Sequence, residues 1–339
     1  MRPVGRHCSR GADNLPMHAL LEAIAAMDLP TDAQRIFHGR GGLYPGCEHW
    51  TLDVFPPVFV LTSFLPVGAD TEAELAAVDA ALASRWQQIA PGAALNWVFQ
   101  CRGDAARTET RTMAGSVPEP HVVTEQGARY RVHVGRGQNH GLFLDMAEGR
   151  RWVRGHVGAR SAERHGIKVL NLFAYTCAFS VVALQAGARQ VVNVDMGRGA
   201  LAVGQQNHQL NGVAAGASFL PHDIFSSWGK ITRGGPYGLV VVDPPSYQKG
   251  SFVASKDYAR LMRRLPDLVA PGGHALLCLN APELGPAFLQ DAMRELAPAL
   301  QFVERVANPA VFADRDEERA LKVLVYRAPA LRDAEAFAG

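Results

Sequence analysis

Residues 168–180 read Lys168-Val-Leu-Asn-Leu-Phe173-Ala-Tyr175-Thr-Cys177-Ala-Phe-Ser180, and this stretch decides the fold. Val169, Leu170, Leu172 and Phe173 make a short apolar run, the pattern of a buried strand. The chain then turns through Ala174–Cys177 and resumes as FSVVALQAGA, with helical apolar spacing and Gly187 just past its end. Strand, tight turn and helix form the first half of a βα unit. In open α/β sheets, ligands sit at the carboxyl ends of the strands, beside such a turn.

Two further strand tips carry polar groups. Val191, Val192 and Val194 form a strand that ends at Asp195, where an acid is placed to accept from a ribose diol. Gly238 to Val242 is a third apolar strand, ending in Asp243-Pro244-Pro245-Ser246-Tyr247. The turn after the first strand lacks G-x-G-x-x-G, which lowers a nicotinamide-dinucleotide reading. Two prolines after a strand-end Asp fix the backbone and remove two amide donors. Carbonyl acceptors and an aromatic ring remain, a setting for a planar amine-bearing base. A merely rigid turn explains Pro-Pro equally well.

The chain has 339 residues, 48% hydrophobic and 19% charged, which suits a globular protein with ample core. Its net charge of +2 gives no overall polyanion signal, so a nucleic-acid partner must be met by a local patch. No apolar run is long enough to span a membrane. The five cysteines (Cys8, Cys47, Cys101, Cys177, Cys278) are scattered without C-x-x-C, which predicts a reducing, cytoplasmic setting. No histidine spacing predicts a metal site. Oligomeric state is not written in the sequence.

Residues 1–36 read as a leader and a short amphipathic helix over 17–28. Residues 37–120 read as a small α+β domain and linker. Its hairpin pairs Trp50–Phe55 with Val58–Phe64, and its helix runs from Thr71 to Trp86, with Thr71 as N-cap and Glu74 closing a capping box. Leu95–Gln100 is another strand, and 104–120 is polar and reads as linker. Residues 121–330 alternate strands and helices, with 331–339 as a tail. The fold class is α/β: a Rossmann-like seven-stranded sheet, mostly parallel, with an antiparallel edge strand. Arg150, Arg151 and Arg154 fall near one another at helical spacing, either as a solvated face or as phosphate contacts. Asp223 follows the Ser218–Leu220 strand, where it can accept from an exocyclic amine or cap a helix.

GLFLDM, LNLFAYT, VNVDM, the QLNG helix end and VVDPPSY, in order and at these spacings, resemble the S-adenosylmethionine-dependent methyltransferases of large-subunit ribosomal RNA, in the guanine-N7 and cytosine-C5 branches. The similarity runs from about residue 120 to 280, and more weakly through the glycine-rich stretch at 39–46. It implies that Asn171, Phe173, Tyr175, Thr176 and Ser180 form the loop around the methionine part of S-adenosylmethionine. It implies that Asp195 holds the ribose, Met196 and Ile224 pack on adenine, and Asp223 takes the adenine amine. Phe143 and Asp145 match a segment that closes over the cofactor. Asp243, Pro244, Pro245, Tyr247 and Asn280 fall at the catalytic positions, with Tyr247 stacking on the target base.

Two departures stand out. The family turn reads Y-T-G, and here Cys177 takes the Gly place, implying strain or crowding of the cofactor. The cytosine branch carries a thiol nucleophile after the fifth strand, where this chain has Asn280; Cys278 lies two residues earlier, inside the strand. That disfavours cytosine C5 and favours a guanine nitrogen. The expected partner is RNA, held at its phosphates by Arg150, Arg151, Lys249, Lys256 and Arg260. A protein side chain or a small molecule as methyl acceptor, and a scaffold that has lost activity, are the rival readings.

Overall fold

The computed structural model describes residues 17–104, 107–161, 166–245, 247–248 and 252–330, without the side chains of 104, 107, 247 and 248. The chain forms two compact units. The first runs to Pro118 and takes back Val134–Gln138; the second comprises Glu119–His133 and the chain from Asn139 onward.

The first unit contains α1 (His18–Ala26), β1 (Gln34–His38), β2 (Trp50–Phe55), β3 (Val58–Ser63), α2 (Thr71–Ile89), β4 (Asn96–Asp104) and β5 (Arg107–Ala114). Its five strands lie in the order β1-β2-β3-β4-β5. Trp50, Leu52, Phe59, Leu61, Trp97 and Phe99 pack with Leu20, Ile24, Leu75, Val78 and Leu82 of the two helices. Strand β5 lies within the stretch expected as linker. Thr108, Thr110 and Thr112 alternate along it, so it is a polar strand at a sheet edge, which a search for apolar runs passes over. Helix α2 begins at Thr71 with Asp70 as N-cap, so the expected capping box does not form; the Thr71 hydroxyl accepts from Gly68 N–H at 2.9 Å instead.

The second unit opens with a hairpin of β6 (His121–Glu125) and β7 (Ala128–Val132). Its two-residue turn, Gln126-Gly127, has φ of 49° and 82°, the positive pair a tight hairpin requires. There follow α3 (Ala147–Ala159), β8 (Lys168–Leu172), α4 (Ala178–Gln185), β9 (Gln190–Val194), α5 (Arg198–Leu210), β10 (Ala217–Leu220), α6 (Trp228–Gly234) and β11 (Tyr237–Val242). The short pair β12 (Tyr247–Gln248) and β13 (Phe252–Val253) leads to α7 (Ala254–Met262), α8 (Leu265–Leu268), β14 (Val269–Leu279), α9 (Pro286–Leu296), β15 (Gln301–Arg305) and β16 (Lys322–Arg327).

Seven strands form one sheet in the order β10-β9-β8-β11-β14-β16-β15. β10, β9, β8, β11 and β14 are parallel, and β16 is antiparallel to both β14 and β15. The single reversed strand is thus second from the edge, and β15 forms the edge. The connection after β10 crosses over β9 and β8 to β11, so the strand order reverses between β8 and β11. Ligands bind at such a switch point. Leu170, Leu172, Val240, Val242, Leu277 and Leu324 fill the core beneath it.

Candidate active site

Beyond β8 the backbone turns sharply. Phe173, Tyr175 and Cys177 all have positive φ (56°, 48° and 65°), a region that costs an L residue free energy and persists only where neighbours enforce it. The enforcement is visible in the hydrogen bonds. Ala174 N–H donates to the Val194 carbonyl at 3.1 Å, Tyr175 N–H to Asp195 Oδ2 at 2.8 Å and Cys177 N–H to the Ala174 carbonyl at 2.7 Å. Asp195 also accepts from Gly197 N–H at 2.7 Å, so one carboxylate ties the loops after β8 and β9 together. The Thr176 hydroxyl donates to the Gly141 carbonyl at 2.6 Å and fixes the preceding segment against this loop.

A cleft of about 550 Å³ opens at these strand ends. Phe173, Tyr175, Thr176, Asp195 and Met196 line one part of it, and Asp223 and Ile224 another. Asp243, Pro244, Pro245 and Asn280 come from the ends of β11 and β14, and Phe143 and Asp145 from the segment before α3. The Phe143 and Tyr175 rings lie 5.3 Å apart. Met196 and Phe143 are large apolar side chains left 52% and 44% exposed at the cleft, surfaces that a ring or chain would cover. Asp223 takes the capping role its position allows, Oδ1 accepting from Phe225 N–H at 3.0 Å, and the residue borders the cleft.

Asp243 is half-buried, and its carboxyl is pushed up to about 7. Burial is the main cause and the Asp145 carboxylate the second; the Arg150 charge and a hydrogen bond from the Cys278 thiol pull the other way. Cys278 is 1% exposed, and burial holds its thiol well above the ordinary range, so it stays protonated and serves as a donor to Asp243.

Several expected site residues stand elsewhere. Arg150 is 3% exposed, bound by Glu125 through two 2.6 Å contacts, and it donates to the Phe143 carbonyl at 2.8 Å. It is therefore no open phosphate contact but a support for the cleft wall. Arg151 is exposed and paired with Glu148 at 2.9 Å. Asn171 and Ser180 do not line the cleft. They lie beneath it in a buried chain: Asn171 Nδ2 donates to Asn193 Oδ1 (3.0 Å), Asn193 Nδ2 donates to Ser180 Oγ (3.0 Å), and Ser180 Oγ lies 2.8 Å from His208 Nε2. His208 Nδ1 lies 2.6 Å from the Gly204 carbonyl, which can only accept, so Nδ1 carries the proton and Nε2 accepts from Ser180.

Lys256 is exposed on α7. Arg260 pairs with Asp257 at 3.1 Å, and its guanidinium lies 3.8 Å from the ring centroid of Phe225, a cleft residue. Lys249 and the side chain of Tyr247 lie outside the described residues. Glu125 and Phe225 escape sequence reading: Glu125 ends an unread strand 25 residues before its partner, with nothing local to mark it.

The sequence model of the S-adenosylmethionine-dependent methyltransferases matches residues 34–327. The chain belongs to this family. A ribosomal RNA large subunit methyltransferase I from Klebsiella pneumoniae (strain 342) is 29% identical over 292 residues, covering 82% of this chain and 69% of the relative. A ribosomal RNA large subunit methyltransferase K/L from Psychrobacter sp. (strain PRwf-1) is 36% identical over 182 residues, 51% of this chain but 21% of that protein. Against several curated relatives the match spans less than half of their own length. Among solved structures, that of SMU.776 complexed with SAH shares the fold with a TM-score of 0.73 at 22% identity, covering 91% of this chain and 78% of that one.

The chain is thus an enzyme, and its cofactor is S-adenosylmethionine. The cleft suits that group chemically. It offers a strand-end carboxylate for a diol, apolar Met196 and Ile224 for a flat ring, and a second carboxylate, Asp223, for an amine. The described residues contain no group of three or more metal-ligating side chains and no helix long and apolar enough to cross a membrane. Among the described residues, Cys47, Cys101, Cys177 and Cys278 are buried and form no disulfide.

Proposed function

We propose that this methyltransferase modifies a base of RNA, in large-subunit ribosomal RNA, at a guanine nitrogen. The observation that carries the reading is the meeting of Asp243-Pro244-Pro245 and Asn280 with the loop residues Phe173–Thr176 in one cleft. The relatives, ribosomal RNA large subunit methyltransferases I and K/L, point the same way. A nitrogen acceptor is supported by Cys278, which is buried and protonated and so unsuited to the thiolate attack that carbon methylation of cytosine needs.

In this reading S-adenosylmethionine supplies an electrophilic methyl group. Asp195 accepts from the ribose hydroxyls through lone pairs left by its two backbone bonds. Met196 and Ile224 enclose the adenine, and Asp223 accepts from its amine. Phe143 and Asp145 close the open side, held by Arg150. The target base leaves its stack and slides onto Pro244 and Pro245, with Tyr247 stacked on it. Asp243 and Asn280 orient the base through its exocyclic amine. Where that amine is the acceptor, Asp243 takes the released proton, being titratable near neutrality. Lys249, Lys256, Arg260 and Arg151 contact phosphates. The protein's contribution is mainly positioning and electrostatics.

The test is methyl transfer from S-adenosylmethionine labelled in its methyl group to RNA and lysate of a strain lacking the protein. Label released by nuclease and resistant to protease is expected, followed by mapping of the base. Label released by protease, or found only on small molecules, overturns the RNA reading.

A further inference from the structure

The first unit holds a cluster of guanidinium groups that the proposed chemistry does not use. The guanidinium carbons of Arg40 and Arg102 lie 4.0 and 5.7 Å from the centroid of the Phe64 ring. Burial lowers the proton affinity of both, and the charge of nearby Arg35 lowers it too, while the Asp53 carboxylate raises that of Arg102. Asp53 is the carboxylate facing the group, and Arg35 occupies it with two contacts, at 2.7 and 2.9 Å.

Arg102 donates through Nη2 to Gln100 Oε1 at 3.1 Å and to the Gln138 carbonyl at 2.6 Å. Its Nε is buried and finds no partner among the described residues. Stacking on an aromatic face would account for one arginine, at about 0.5–1 kcal/mol when exposed. Two guanidinium groups on one ring, with a third in Coulomb range and Asp53 as the carboxylate near them among the described residues, concentrate positive charge at this surface. An anion at the exposed face of the cluster relieves it.

The surroundings indicate which anion. Arg40 sits on a loop closed upon itself: a Cβ on Gly39 would fall 1.8 Å from the Cys47 carbonyl oxygen, so only glycine lets the two ends meet. The same small loop carries Leu43 and Tyr44, 44% and 40% exposed, and Leu65 beside Phe64 is 54% exposed. Arginines beside exposed aromatic and apolar side chains form the surface that single-stranded nucleic acid takes, with phosphates on the cations and bases on the rings.

We propose that Arg40 and Arg102, gathered around Phe64, form a phosphodiester-binding site for single-stranded RNA on the first unit. The identity of the ligand rests on the RNA reading above; the anion site itself rests on the cluster.

The test uses the full chain and a fluorescent single-stranded RNA of about 16 nucleotides, the upper site size of a small single-strand-binding fold. Its affinity is measured across a range of potassium chloride concentrations for the wild type, Arg40→Gln, Arg40→Lys and Arg102→Gln. Arg40→Gln is expected to weaken binding about tenfold at low salt and to reduce the slope of log K against log salt by about 0.7, the value for one phosphate contact on a single strand. Arg40→Lys is expected to keep most of that slope, and all variants to keep their affinity for S-adenosylmethionine. Arg102 also braces the Gln138 segment, so should Arg102→Gln misfold, the exposed position 40 still decides the matter through Arg40→Gln. Wild-type affinity and salt slope in Arg40→Gln would overturn the site and leave the RNA reading standing. A wild type that binds S-adenosylmethionine but no RNA would overturn both.

Discussion

The thiol of Cys177 is packed against Gly204. A Cβ built on Gly204 would fall 2.5 Å from Cys177 Sγ and 3.2 Å from its Cβ. Cys177 holds the left-handed backbone of a turn position that glycine would fill without cost (φ 65°, ψ 30°), and its side chain is fully buried. The missing side chain of Gly204 in α5 is the space that receives it. The crowding implied by a cysteine in this turn is therefore directed into the second layer of the protein and away from the cleft, whose lining does not include Cys177.

Gly204→Ala should accordingly destabilise the protein by about 1–3 kcal/mol, the usual cost of overpacking, although alanine is the better helix former. In a Cys177→Gly background the same substitution should be neutral or stabilising, by up to about 1 kcal/mol. Chemical denaturation of the two single variants and the double variant measures this coupling. Additive effects would mean the two side chains do not meet.

Asp243→Asn should abolish methyl transfer while raising stability in a pH-dependent way. The folded carboxyl titrates at about 7, above its ordinary 3.8, so between these values the folded state binds more protons than the unfolded one. Stability contributed by the protonated form is complete below about 4 and is lost as pH rises through 7. The variant should thus melt at a higher temperature than the wild type at pH 8, by a few degrees for about 1 kcal/mol, and the gap should close near pH 4. Melting curves across this range check it; a gap independent of pH would remove the titration argument.

How far the sequence carried depended on whether the signal was local. The strands ending at Leu172, Val194 and Val242 announce themselves as apolar runs, and the residue after each (Phe173, Asp195, Asp243) lines the cleft because strand ends are where such sheets bind. The polar strand β5 has no apolar run, so its sequence reads as a linker. Asn171 and Ser180 have the right residue types beside the loop, yet strand alternation and helix phase turn their side chains inward, toward Asn193 and His208. Arg150 has the spacing of a surface arginine. Its burial follows from Glu125, a partner that only the tertiary fold supplies.

Glu125→Gln should expose how much of the cleft wall depends on that pair. Glu125 and Arg150 are both nearly inaccessible, so removing the carboxylate charge leaves a guanidinium buried with weaker partners. The cost of breaking such a pair is about 3–5 kcal/mol. A double variant, Glu125→Gln with Arg150→Met, should recover part of that loss because the uncompensated charge is gone. Both should weaken S-adenosylmethionine binding, since Arg150 also holds the Phe143 carbonyl. Thermal melting with and without cofactor separates the two effects.

Lys322 supplies a last test, at the end of β14 that carries Asn280. Its side chain is fully buried, and its ammonium donates to the Ala281 carbonyl at 2.8 Å and the Glu318 carbonyl at 3.1 Å. Ala281 follows Asn280, so the contact fixes the backbone from which Asn280 enters the cleft; Lys322 itself pairs with Leu279 across β14 and β16. Burial lowers the ammonium to about 8, a cost set against the two carbonyls it satisfies. Lys322→Met keeps the length and apolar stem but removes the donors. Freed from its anchor, Asn280 would occupy the productive geometry less often, and kcat should fall about tenfold, equivalent to ~1.4 kcal/mol in the barrier. S-adenosylmethionine affinity should change little, because Asp195, Met196, Asp223 and Ile224 stand on other strand ends. A proportional loss of cofactor affinity would show that Lys322 supports the whole unit rather than this loop, and an unchanged kcat would show that Asn280 keeps its place without it.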